Sequence, residues 1–194
     1  LDKQRFISVP SSWTSAGYSG DGYATYCLTV ITPHTGVLGI RMPSAASAYE
    51  LLVNGSRVLS CGSVSSGKKG HAPEFRPQEG YFVCSGKPVE ITLHISNFSH
   101  CKGGLWESIT FGTPGQLQQA RERSTALEMF LIGALLVMTF YHAGLFFFRR
   151  QNRYTVYFAL ICLLMAVRTG YTGERLFAGF LPFIPWEIQG KLEY

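Results

Sequence analysis

Residues 126–148 read ALEMFLIGALLVMTFYHAGLFFF, and how this run is housed decides the fold. It is about 23 residues long with one acid near its start, enough for a helix to cross a hydrocarbon core of roughly 30 Å. The core helix of a soluble domain keeps a polar face, and this run has none, so it is read as a membrane span. It stops at Arg149-Arg150, and Arg153 follows. A second apolar run, Tyr154 to Val167, begins at once and is short for a span unless Arg168 lies at its end and snorkels to the interface. The two runs therefore form a helical hairpin. Its turn, RRQNR, holds three arginines and no acid, which places it on the cytoplasmic side and residues 1 to about 123 outside the cytoplasm.

Upstream, the pattern changes to period two. YATYCLTVIT, VLGIRM, AYELLV, RVLSCG, YFVC, VEITLHIS and SITFG are β-branched or aromatic segments separated by Gly, Pro, Ser and Asn. Asn54-Gly55, between AYELLV and SRVLSCG, is the strongest local hairpin signal, because both residues tolerate the positive φ that a two-residue turn requires. Helical periodicity is absent before residue 115. The expectation is an all-β sandwich or jelly roll over residues 1–115, a juxtamembrane linker over 116–125 in which a short polar helix follows the Gly/Pro break at 112–115 and leads into the membrane, and a multi-helix membrane region over 126–194 with helices at about 126–148 and 153–171. The stretch from Ser65 to Gly80 lacks strand patterning and is read as an exposed loop.

Taken together, VPSSW, GYATYCLTV, SAYELLVNGSRVLSCGSV, ISNFSHCKGGLWESITFG and FYHAGLFFFRR resemble the bacterial seven-transmembrane receptors with diverse intracellular signalling modules. ALICLLMAVRTGYTGERL followed by FLPFIPWEIQGKLEY is similar to that family's second helix, outer loop and entry to the third helix. The resemblance implies a periplasmic, galactose-binding-like jelly roll, a multi-pass inner-membrane protein of seven helices and a cytoplasmic kinase, cyclase or phosphatase after the last of them, this sequence ending where the third helix would begin. It also implies a ligand, either a small molecule or a carbohydrate, and the lipid bilayer as partners, with a homodimer compatible.

Gly-rich phosphate loops, HExxH, paired CxxC and GxSxG are all missing, so the common hydrolase, zinc and nucleotide signatures do not apply, and no enzyme activity or cofactor is expected of this segment. His94 and His100, near Cys101, have the chemistry of metal ligands, but the cysteines lack close pairing, so a metal site is not expected there. Cys27, Cys61, Cys84 and Cys101 allow three disulfide pairings, among which the sequence does not choose. The net charge of +5 is accounted for by arginines at the bilayer, so nucleic acid is not expected as a partner.

Sugars are held by flat aromatic faces beside amide and carboxylate groups. On that ground Trp13, Tyr18, Tyr23, Asn97, His100, Trp106 and Glu107 are the candidate ligand contacts, against the plainer reading that the tryptophans plug the sandwich and Asn97 bonds backbone in a turn. Within the membrane, His142 and Arg168 are the ionisable residues to explain. The expected function is a membrane sensor that detects an extracytoplasmic ligand and transmits through its helices. The competing readings are a membrane enzyme or transporter with an accessory sugar-binding module, and an adhesive module.

Overall fold

The computed structural model describes residues 6–177 apart from 44, 46 and 152, so the expected entry to a third helix lies outside the described residues. The chain divides into two compact units, Leu1–Leu117 and Gln118–Tyr194.

The first unit is a β-sandwich built from antiparallel pairs. In chain order its strands are β1 (Ser11–Ser12), β2 (Gly22–Val30), β3 (Thr35–Met42), β4 (Ala48–Val53), β5 (Ser56–Cys61), β6 (Gln78–Ser85), β7 (Val89–Asn97), β8 (Gly104–Leu105) and β9 (Thr110–Gly112). Four strands form one sheet in the order β2-β7-β4-β5, three form the other as β6-β3-β9, and β1 pairs with β8. The alternation in VEITLHISN sets the orientation of the central strand. Val89, Ile91, Leu93 and Ile95 are buried in the core with Leu38, Ile40, Met42 and Leu51 of the neighbouring strands. Each such aliphatic side chain contributes roughly 1.5–3 kcal/mol by leaving water. The intervening Glu90, Thr92, His94 and Ser96 point to the outer face of the four-stranded sheet.

The β4–β5 hairpin turns at Asn54 (φ 49°) and Gly55 (φ 79°), as the sequence led us to expect. The Asn54 side chain also accepts the Glu90 N–H at 2.9 Å, which fastens the turn to the start of β7. The short β1–β8 pairing was not legible in the sequence. All five cysteines are free thiols, with Cys61 and Cys84 buried.

Helix α1 begins at Pro114, within the expected Gly/Pro break, and the expected short polar helix continues unbroken into the apolar run as far as Phe148. The reason is a complete helix start. The Thr113 N–H donates to the Gln116 side-chain oxygen at 2.9 Å, the Gln116 N–H donates to Thr113 Oγ1 at 3.4 Å, and Pro114 takes the first helical position. The first turn is anchored within the sandwich unit. Leu117 is buried against Gly39 on the outer face of β3, where a β-carbon on Gly39 would lie 2.5 Å from Leu117 Cδ1.

In the second unit, α1 continues and α2 spans Arg153–Tyr171. Both helices are long and apolar enough to cross a membrane. Ala159, Cys162, Ala166 and Gly170 form the buried stripe of α2, and Thr139 Oγ1 of α1 lies 3.5 Å from the Ala159 carbonyl oxygen. Small residues at this spacing let helices approach closely where apolar burial alone gives no driving force. Glu128, the acid near the start of the apolar run, accepts the Glu174 N–H at 3.1 and 3.3 Å on its two oxygens. Its carboxylate occupies the place a side chain would take at Gly173, whose φ of 60° also favours glycine.

Candidate functional site

The outer face of the four-stranded sheet carries a groove of about 300 Å³, at the small end of ligand sites. Its floor is Tyr23, Ala24 and Thr25 of β2, His94 and Ile95 of β7 and Glu50 of β4, and one wall is Val64, Ser65 and Ser66 from the loop after β5. The register brings the floor together: Thr25 and Glu50 both pair with His94, from opposite sides. Thr25 Oγ1 is 2.8 Å from His94 Nδ1, and Glu50 lies 3.5 Å from Arg57 at the margin. Tyr23 is 64% exposed beside these groups. An open aromatic face next to a carboxylate, an imidazole and hydroxyls suits a small polyhydroxylated ligand.

The candidate residues named from the sequence fall into three places. Tyr23 is in the groove. His100 and Trp106 form a separate surface cluster, with ring centroids 4.9 Å apart and Phe75 at 6.2 Å from His100. Trp106 Nε1 donates to the Gly103 carbonyl at 3.3 Å, and Glu107 follows, exposed. Tyr18 is half exposed.

Trp13 and Asn97 are corrected from ligand contacts to interior residues. Trp13 is 5% exposed, its indole N–H donates to Tyr26 Oη at 2.7 Å, and its ring fills the space beside Gly103. Burial pushes the Tyr26 phenol up from its ordinary pKa, and the indole bond opposes this. Asn97 is fully buried. Its amide nitrogen donates to the carbonyls of Gly20 (2.7 Å) and His100 (2.6 Å), and its oxygen accepts Ser47 Oγ–H (2.9 Å) and the His100 N–H (3.0 Å). No capacity is left for a ligand.

From Ser47 the network continues toward the groove. His71 Nε2 is 2.9 Å from Ser47 Oγ, His71 Nδ1 is 3.0 Å from Ser96 Oγ, and Ser96 Oγ accepts the N–H of Ser65 at 3.2 Å. His94, weighed above as a metal ligand, is instead engaged with Thr25, and His100 with Trp106 and Lys102. Among the described residues no three His, Cys, Asp or Glu side chains gather as metal ligands. The sequence reading missed Thr25, Glu50, Ser65, Ser66 and His71. Thr25 and His94 become neighbours only through the β2–β7 pairing register.

In the second unit, His142 lies edge-on to Phe158 at 4.5 Å, and its Nδ1 is buried without a hydrogen-bond partner among the described residues. Arg168 is exposed in the last turn of α2.

Residues 124–194 match the family described as 7TM diverse intracellular signalling, in agreement with the resemblance noted in the sequence. The sandwich has a loose likeness to three solved glycosidases. A GH2 beta-galacturonidase from Eisenbergiella tayi is 14% identical with a TM-score of 0.42, over 58% of this chain and 22% of that one. A putative beta-galactosidase from Bacteroides fragilis is 16% identical with a TM-score of 0.44, over 56% and 18%. A beta-glucuronidase from Faecalibacterium prausnitzii is 20% identical with a TM-score of 0.40, over 52% and 17%. The matched part is about a fifth of the length of those enzymes. No curated protein matches the chain.

Proposed function

We propose that this chain, whose region from residue 124 onward belongs to the 7TM diverse intracellular signalling family, is the sensing and first membrane-spanning part of a receptor. In this reading the sandwich lies outside the inner membrane, in the periplasm, and takes a small polyhydroxylated ligand of carbohydrate type in the Tyr23–Thr25–His94–Glu50 groove. Its ligand state biases the packing of the membrane helices, and through them a cytoplasmic output domain beyond this chain. A ligand can shift such an equilibrium only by binding one state more tightly than the other, so some part of the sandwich must differ between states.

The observation that carries the reading is the junction. An unbroken helix starts on the outer face of β3, with Leu117 seated at Gly39, and continues into the matched membrane region. The three arginines at 149, 150 and 153 support a cytoplasmic turn between α1 and α2.

Two measurements test this. Cys27 and Cys101 are exposed on the sandwich, and a membrane-impermeant maleimide should label them in spheroplasts with the inner membrane intact. Labelling only after lysis would reverse the orientation. Calorimetry of the full chain in nanodiscs against neutral mono- and oligosaccharides tests the ligand class, and no heat from any of them would remove it.

A further inference from the structure

The hydrogen bonds that support the groove wall have a fixed direction, and His71 is where it can be reversed. The Asn97 amide nitrogen is committed to two carbonyls, so its oxygen must face Ser47. Ser47 therefore spends its only proton on Asn97 and can offer His71 Nε2 only a lone pair. Nε2 must carry the ring hydrogen. In the neutral ring Nδ1 is then an acceptor, which takes the Ser96 hydroxyl proton and leaves Ser96 Oγ free to accept the Ser65 N–H. The tautomer is assigned by this network.

We propose that His71 is a positioning residue for the groove: a neutral Nε2–H imidazole that relays the hydrogen-bond direction set at Asn97 to Ser65, holds the Ser65–Ser66 wall in place, and releases it when protonated. Its bearing on the ligand rests on the groove reading above.

A second proton on Nδ1 would meet the Ser96 hydroxyl hydrogen head-on. Ser96 is fully buried, so once that hydrogen is turned away, the hydroxyl must find a new acceptor or the loop must shift, at the cost of an unmade buried hydrogen bond. Burial holds the His71 pKa below the ordinary histidine value, opposed by a backbone bond at Ser63, so the ring is neutral at neutral pH. Besides the Ser63 backbone, the groups within hydrogen-bond distance of its two nitrogens are the Ser47 and Ser96 hydroxyls, and the Phe98 ring stands edge-on at 5.5 Å. The titratable groups on the segments packed around it are Lys68, Lys69 and Glu74 on its own loop, Glu50 on β4, and His94 and His100 on and after β7. Of these, Glu74 is held by the Gly62 N–H and lies 3.5 Å from Arg76, and His94 by Thr25.

The test is hydrogen–deuterium exchange of the full chain in nanodiscs, following peptides that cover residues 63–72 and correcting for the intrinsic pH dependence of exchange. In the wild type, exchange at Ser65 should quicken roughly tenfold between about pH 7.5 and about pH 5, the scale of one lost buried hydrogen bond. His71→Gln, whose amide can donate to Ser47 and accept from Ser96 without titrating, should stay protected at both pH values. Ser96→Ala, which cuts the link but leaves His71, should exchange quickly at both. Wild-type protection that does not change over this range, or Ser96→Ala protection equal to wild type, overturns the proposal. No ligand enters the measurement, so its failure leaves the receptor reading standing, and a failure to bind sugars leaves this result standing.

Discussion

Thr25 and His94 face one another across the β2–β7 ladder with Thr25 Oγ1 2.8 Å from His94 Nδ1, a polar pair on the open face of a sheet whose other face is core. The sandwich gains little from such a partly exposed pair, so its interest lies in what it presents to the groove. His94→Ala and Thr25→Val should each change stability by no more than about 0.5 kcal/mol, as is usual for surface positions. Calorimetry should show ligand affinity falling roughly tenfold or more, as a lost hydrogen bond to a polar ligand implies. Unchanged affinity in both variants would move the ligand away from this groove.

The Leu117 seat tests the junction. Leu117→Ala should destabilise the sandwich by roughly 2–4 kcal/mol, because a buried leucine truncated in a tight notch leaves a cavity. Thermal unfolding of the full chain in detergent reads this out. Gly39→Ala should have a similar sign, since its added carbon meets both Leu117 and the Tyr81 ring.

Tyr49 is a core residue whose hydroxyl has no hydrogen-bond partner among the described residues. Tyr49→Phe removes an unpaid burial cost and should raise stability by about 0.5–1 kcal/mol. Burial pushes this phenol well above its ordinary pKa of 10.0, so the folded state retains a proton that the unfolded chain loses. The resulting stability is complete below pH 10 and is lost as pH rises beyond it. The variant should therefore unfold less readily in alkali, which chemical denaturation across that range would show.

Stability on the acid side follows from His71, whose folded pKa is lowered from 6.5. The folded state then binds fewer protons than the unfolded chain, so this contribution is complete above pH 6.5 and declines as pH falls through the lowered folded value. Urea midpoints of the wild type should fall over that window more than those of His71→Gln. Parallel curves would show that burial does not perturb the ring.

Much of the architecture was legible because it rests on local rules. The period-two pattern of VEITLHIS gave the central strand and its buried face, and Asn54-Gly55 gave the hairpin. The helix start was legible as well: the Gly/Pro break was expected to lead into a polar helix, and Thr113-Pro114 with Gln116 supply its cap. The candidate site was largely hidden. Trp13 and Asn97 have the composition of ligand contacts, yet burial and a full set of internal hydrogen bonds commit them to the fold. Thr25, Glu50 and His94 lie far apart in the chain and meet only through strand register, which a single sequence does not specify. Glu128 was noted only as the acid near the start of the apolar run, and its contact with the Glu174 backbone depends on a turn 46 residues away.

Asn97 holds the His100 carbonyl with one end of its amide and the Ser47 hydroxyl with the other. Through that single buried group, the aromatic cluster at His100 and Trp106 and the serine wall of the groove share one mechanical ground. Were a change at one surface to alter affinity at the other, linkage would require the reverse effect to be equal in size.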